Sequence, residues 1–340
     1  MKADIFKYRL PEERIAKYPP KVRGTSNLMV FDRKSEEIKH KKYFNIVEYI
    51  KPGDVIVLNE TKVLDVRTYF ITPNNREVEI LFLNQEDNNW FCLIGGGRYV
   101  SNEDILVARD EKNIKVKVLN KKDRGYIVQI LENISPFELF DSIGHTPLPP
   151  YMKRKDKKED KERYNTVFSK IPGSSAAPTA SLNLTDEIIE KIKKQGAKVV
   201  KIELRVGWGT FAPIREENIE DHKIHEEFIN ISKEVAETIN QAKLENKDIW
   251  AFGTTVVRAL ETAVIDRKMK PFNGETNLYI YPGYEFKIVD HLVTNFHQPD
   301  STLILLVSAF AGIDAIKKLY STALEGDYKF LSYGDSMLIL

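Results

Sequence analysis

Apolar and polar residues change rhythm along the chain, and the changes predict its parts. Before residue 65, turns alternate with apolar segments. Lys51-Pro52-Gly53-Asp54 is a turn, and Val55-Ile56-Val57-Leu58 after it predicts a buried strand ending at Asn59. From about 66 to 131, short β-rich runs follow one another at 66–71, 77–83, 90–94, 105–108, 114–119 and 126–131. Turn chemistry separates them, as in Pro73-Asn74-Asn75, Gly95-Gly96-Gly97 and Asp123-Arg124-Gly125. Many short strands at regular spacing, with no helical period between them, predict a small barrel or sandwich.

Beyond the proline-stiffened connector Gly144-His145-Thr146-Pro147-Leu148-Pro149-Pro150-Tyr151, strands and helices alternate. Thr185 can cap a helix that opens with Asp186 and Glu187 and closes near Lys193, Lys194 and Gly196, a charge order that suits the helix dipole. Val200, Ile202, Leu204 and Val206 alternate with charged residues, which predicts a half-exposed strand. Ser232 can cap a helix carrying Val235, Ile239 and Ala242 on one face. Residues 249–252 read as a strand, and Gly253 turns into a helix starting near Thr254. A pair of short strands is expected at 279–289 around Pro282-Gly283, and Ser301 can open one hydrophobic helix reaching Tyr320. The expectation is an α/β fold: a discontinuous α/β catalytic domain, residues 1–65 plus 150–340, with a small β-barrel domain inserted at 66–149.

Composition narrows the class. The 340 residues are 42% hydrophobic and 30% charged, an ordinary globular balance. The net charge of +1 means that any nucleic acid would be held by local basic patches. Residues 153–163 are eleven consecutive charges, seven basic and four acidic; the run reads as a solvated mobile loop or as an RNA-backbone contact. The single cysteine, Cys92, rules out an intramolecular disulfide, and its apolar strand predicts a buried, inert thiol. The charged start Met1-Lys2-Ala3-Asp4 argues against a signal peptide, and no apolar run has the length of a membrane span. A cytoplasmic monomer without membrane contact is expected.

Four polar clusters could carry chemistry. Residues 172–185 form a loop of small residues with two prolines, which lets backbone amides approach a ligand or is simply a surface loop. Gly207-Trp208-Gly209-Thr210-Phe211 ends a strand; glycines beside aromatics leave room for something flat, or mark a turn whose tryptophan packs inward. His222 and His225 are three apart and would share a face on a helix, for proton transfer or for anchoring a hydroxyl. A metal would want further ligands, and none is offered. Finally, Gly253-Thr254-Thr255 feeds a helix start that can hold a carboxylate or phosphate, with Arg258 one turn on, while Asn295 and His297 alternate in an extended segment. The alternative for Arg258 is an ion pair with Glu261. No Walker loop, dinucleotide fingerprint, nucleophile elbow or zinc motif occurs.

Taken together the strings resemble the S-adenosylmethionine:tRNA ribosyltransferase-isomerase family of queuosine synthesis. The resemblance runs from Asp4, Leu10-Pro11 and Tyr18-Pro19 through Pro52-Gly53-Asp54, His145-Thr146-Pro147-Leu148-Pro149-Pro150-Tyr151 and Ala176-Ala177-Pro178-Thr179-Ala180. It continues in Gly209-Thr210-Phe211, His222-Lys223, His225-Glu226-Glu227, Gly253-Thr254-Thr255 and Thr294-Asn295-Phe296-His297, and closes with Tyr333-Gly334-Asp335. It implies the fold stated above and a reaction. The ribosyl part of S-adenosylmethionine moves to the aminomethyl-deazaguanine at the tRNA wobble position and rearranges, giving epoxyqueuosine, adenine and methionine.

That chemistry implies roles. The carbon beside the sulfonium must lose a proton, and His222, His225 and His297 are the candidate proton carriers or hydroxyl anchors. Thr254, Thr255 and Arg258 are expected at the methionine end of the bound donor, with Thr179 and Asn295 as polar edge readers. Trp208 and Phe211, with Asn183 and Arg205, are expected at the slot for the flat base. S-adenosylmethionine is the donor substrate, tRNA (its anticodon region) the partner, and no metal is required. The sequence departs from the family's pattern at Ser181, Asn183, Arg205, Gly95, Gln298 and Asp300, where the family carries other residues, two of them histidines. Three functions therefore stay open: the full enzyme, a sister enzyme with another acceptor, and a non-catalytic RNA-binding relative.

Overall fold

In the computed structural model, which describes every residue except Asp87, Trp208 and 210–212, the run Val55–Asn59 is buried along its whole length. The reason is visible in its alternation. Val55 and Val57 enter one core cluster, with the helical residues Val235, Ile239, Val256 and Leu260. Ile56 and Leu58 enter another, with Tyr43, Ile46, Ile188 and Ile192. A strand covered on both faces can be apolar at every position.

This strand sits centrally in a nine-stranded sheet. The order is Phe272–Thr276, Glu227–Ile231, Lys198–Leu204, Val55–Asn59, Ile249–Phe252, His291–Asn295, Ser336–Ile339, Asn27–Phe31 and Ile38–Lys42. The four strands from Lys198–Leu204 to His291–Asn295 run parallel. The chain passes from Lys198–Leu204 to Ile249–Phe252, on opposite sides of Val55–Asn59. Such a switch leaves a crevice at the carboxyl ends of the strands, the usual ligand position in an α/β sheet.

A closed antiparallel barrel forms separately from six strands: Gly125–Ile130, Asn89–Gly95, Glu77–Glu86, Arg67–Ile71, Ile105–Ala108 and Lys115–Lys122. Phe70, Ile80, Phe82, Val116, Val118 and Val128 fill it. The helix Pro136–Ile143, with Ser135 and Glu138 in a reciprocal cap, adds Leu139, Phe140 and Ile143 to that core. Cys92 is fully buried there, and burial raises its thiol pKa. The fold is mixed α/β with an antiparallel barrel. Contacts group the residues into two units: Met1–Lys62, Pro149–Arg154 and Arg163–Leu340, and Val63–Leu148 with Lys155–Glu162.

Thr185, Ser232 and Ser301 each cap a helix through the side-chain oxygen. Several local expectations change. The helix opened by Ser301 is two, Thr302–Ala311 and Ile313–Glu325, because Gly312 takes φ 95°. No strand forms at 279–289. The buried Glu261 carboxylate accepts the backbone N–H groups of Lys287, Ile288 and Val289, which a ladder would otherwise use. The same contacts explain why Glu261 does not pair with Arg258. The strand Lys198–Leu204 is less exposed than its alternation suggests, since Glu203 is buried beside Arg205. The charge run is strapped down in part: Asp156 meets His145 Nδ1 at 3.1 Å, and Lys161 meets Asp65 and Asp141 at 3.2 and 3.0 Å. Among the described residues no helix is long and apolar enough to cross a membrane.

Candidate active site

The loops leaving the parallel strands at their carboxyl ends enclose three cavities that share Leu303. Each is built by a short stretch of sequence.

The first follows from Gly253. This residue takes φ 113°, which a side chain would resist, and turns the strand Ile249–Phe252 directly into the helix Thr254–Thr262. No side chain caps that helix. Its first N–H groups therefore open, with the positive end of the helix dipole, onto a cavity lined by Thr254, Thr255, Thr179, Asn295 and His297. Thr255 Oγ1 is buried and has no hydrogen-bond partner. Uncapped amides and an unpartnered hydroxyl together suit a carboxylate.

Arg258 lies one turn along the same helix but opens elsewhere. Its Nε donates to Leu278 O at 3.1 Å, and its Nη1 to the Glu227 carboxylate. Glu227 also accepts the Gly207 N–H at 3.0 Å. Both charged groups are buried, and each neutralises the other. Arg258 Nη2 is buried without a partner, which costs about 1–3 kcal/mol in the absence of a ligand. Together with Gly207, Gly209, His225 and Tyr279, this pair lines the second cavity. A Cβ at Gly209 would stand 2.2 Å from His225 Cδ2, so only glycine lets the imidazole lie there.

The third cavity is lined by Tyr151, Ser332, Gln298, Asn295 and His297. His297 is wholly enclosed. Its Nε2 is 2.8 Å from Thr294 Oγ1, its N–H donates to Tyr320 Oη at 2.8 Å, and its carbonyl accepts from Tyr8 Oη. Burial lowers its pKa to about 3. The ring is neutral at any working pH and too weakly basic for efficient proton abstraction, so holding a hydroxyl suits it better.

The expected residues thus fall into groups. Thr179, Thr254, Thr255, Asn295 and His297 share one cavity; His225 and Arg258 share another. Asn295 is occupied at both ends: it accepts from Thr179 Oγ1 at 2.8 Å and donates to Asp335 O at 3.3 Å. His222 follows a 3-10 turn, not a regular helix, and pairs with Glu216 at 2.8 Å outside the three cavities. Asn183 is buried and donates to Gly334 O at 3.3 Å. Arg205 pairs with Glu203 at 2.7 Å, and its guanidinium lies 4.3 Å from the Phe228 ring centre. Neither Asn183 nor Arg205 lines any of these three cavities, whereas Gln298 does. Trp208 and Phe211 lie outside the described residues. Glu227, Tyr279, Tyr151 and Leu303 were not among the expected site residues; Glu227 and Tyr151 stood in the quoted strings, but nothing in their spacing singled them out. Among the described residues no group of three or more His, Cys, Asp or Glu side chains could hold a metal ion.

The family model described as "Queuosine biosynthesis protein" matches residues 3–339. Proteins named S-adenosylmethionine:tRNA ribosyltransferase-isomerase match over the whole length of both chains: those of Chlorobaculum parvum and Aquifex aeolicus at 44% identity, and that of a Sulfurihydrogenibium species at 45%. The crystal structure of the S-adenosylmethionine tRNA ribosyltransferase of Thermotoga maritima aligns with a TM-score of 0.57 and 33% identity, covering 99% of this chain and 100% of that one. The chain belongs to the S-adenosylmethionine:tRNA ribosyltransferase-isomerase family, the enzymes of queuosine biosynthesis.

Proposed function

We propose that this enzyme transfers the ribosyl moiety of S-adenosylmethionine to 7-aminomethyl-7-deazaguanine at the anticodon of tRNA and isomerises it, giving epoxyqueuosine and releasing adenine and methionine. The observation that carries the reading is full-length identity near 44% to proteins named for this donor and this acceptor RNA. The cavities at the carboxyl ends of the parallel strands are its physical support. The donor's carboxylate fits the uncapped helix start at Thr254 and Thr255. The positive sulfur acidifies the adjoining carbon, whose proton a nearby base removes. His225 is the better candidate than His297 for that step, because full burial makes His297 a weak base. His222, ion-paired with Glu216, is assigned a supporting place outside the cavities. No step calls for a metal.

The α/β segments 1–65 and 150–340 are read as the catalytic domain, and 66–149 as the inserted barrel domain. A cytoplasmic monomer is the working assignment. The test is incubation with precursor tRNA and S-adenosylmethionine followed by nucleoside mass analysis. Epoxyqueuosine in the digest and adenine in solution are expected; unchanged tRNA with intact S-adenosylmethionine overturns the reading. A sister enzyme with another acceptor draws on Gln298, a departure from the family's pattern that lines a cavity. Adenine release with a free base but not with tRNA would favour it.

A further inference from the structure

Thr255 and Arg258 stand on one helix yet open into different cavities, and the two cavities ask for different ligands. Resting on the function proposed above, we propose that the Arg258 cavity receives the acceptor, a flat heterocycle whose exocyclic carbonyl oxygen takes the spare Nη2 donor of Arg258. A carboxylate is the poorer match. An arginine grips a carboxylate with two parallel N–H groups, and here Nε donates to Leu278 O and Nη1 to Glu227, so each fork is already engaged at one nitrogen. The buried Glu227 also cancels the charge that would attract an anion. What remains is Nη2, whose two N–H groups diverge from one another and so suit a carbonyl oxygen better than the parallel grip of a carboxylate.

The walls agree. The cavity is a cleft open to solvent, which a ring can enter from outside. Ile224, Ile280 and Leu306 give it apolar sides for the faces of a ring. A Cβ built on Gly207 would meet none of the described residues within 4 Å. Glu227 is a positioning residue: it fixes the guanidinium and the Gly207 N–H together and touches no ligand in this assignment.

Arg258→Lys tests the split, because it keeps the charge beside Glu227 and removes the planar fork. Two readouts are taken: the Kd for S-adenosylmethionine by calorimetry, and the KM for an anticodon stem-loop carrying 7-aminomethyl-7-deazaguanine. The expected result is a donor Kd within about two-fold of wild type and an acceptor KM raised at least about ten-fold. A donor Kd raised as much as the acceptor KM, or an acceptor KM left unchanged, overturns the assignment while leaving the proposed function standing. A second measurement needs no variant. Wild-type protein is given a stem-loop whose base lacks the exocyclic oxygen, a 2-amino-7-deazapurine ring with the same aminomethyl arm. Its kcat/KM should fall at least about ten-fold, and equal turnover of the two acceptors contradicts the proposal. A wild-type protein that turns over neither acceptor removes the proposed function itself.

Discussion

The two ends of the central parallel strands differ in how completely their polar groups are partnered. At the amino ends, Asp54 accepts from Trp250 Nε1 and from Lys51 N–H, both at 2.9 Å. Asp290 accepts from Lys243 Nζ at 2.9 Å and from Ile249 N–H at 2.7 Å, and Asp248 meets His291 Nε2 at 3.2 Å. One orphan, His291 Nδ1, lies outside the three cavities. At the carboxyl ends, Thr255 Oγ1 and Arg258 Nη2 are buried and unpartnered, their residues line cavities, and a helix start is uncapped. Two buried groups at the carboxyl end thus stand without partners, while the carboxylates at the amino end are each partnered.

Substitutions can break or sharpen that contrast. The largest effect is expected from Asp54→Ala, which strands the Trp250 Nε1 donor in the core and removes the acceptor of the Lys51 N–H. Urea unfolding should show a loss of about 3 kcal/mol; a loss confined to a few tenths would dissolve the distinction between the ends. Acid comes next. His297 is held neutral by burial, with its pKa lowered to about 3 from the ordinary 6.5, and His291 is lowered by burial against the pull of Asp248. The unfolded chain binds the protons that these rings refuse, so stability falls as pH drops below about 6.5. For His297 the slope approaches about 1.4 kcal/mol per pH unit. Chemical denaturation of His297→Gln beside wild type isolates this contribution, and parallel pH profiles would contradict it. Asn183→Ala removes the bond to Gly334 O and should cost about 1 kcal/mol in the same assay. The smallest effect is expected from Thr255→Val. Replacing an unpartnered hydroxyl with a methyl of similar size should leave the stability of the free protein within about 0.5 kcal/mol of wild type.

Much of the architecture could be read from residue order. Val55 to Leu58 could be read as buried because four apolar residues in a row need cover on both faces, and Thr185, Ser232 and Ser301 because a helix start needs an acceptor. The rhythm of short strands gave away the barrel. What failed were places where a distant side chain overrides a local pattern. Glu261 takes the N–H groups of 287–289 and leaves no strand, and Gly312 divides a run whose hydrophobicity alone is continuous. The site was legible as motifs and not as a partition. Spacing put Thr254, Thr255 and Arg258 on one helix end; only the burial of Glu227 against Arg258 separates them into two cavities. Likewise nothing in the string around Asn183 reveals that its amide is spent on the Gly334 carbonyl.

Calorimetric titration of S-adenosylmethionine into wild type and Thr255→Val bears most directly on the claim that the carboxyl end holds its bonds for the donor. Single-site binding to the wild type, weakened about ten-fold in the variant with no loss of stability in the free protein, is the expected result. Equal affinity for both proteins, or no heat from either, would contradict it.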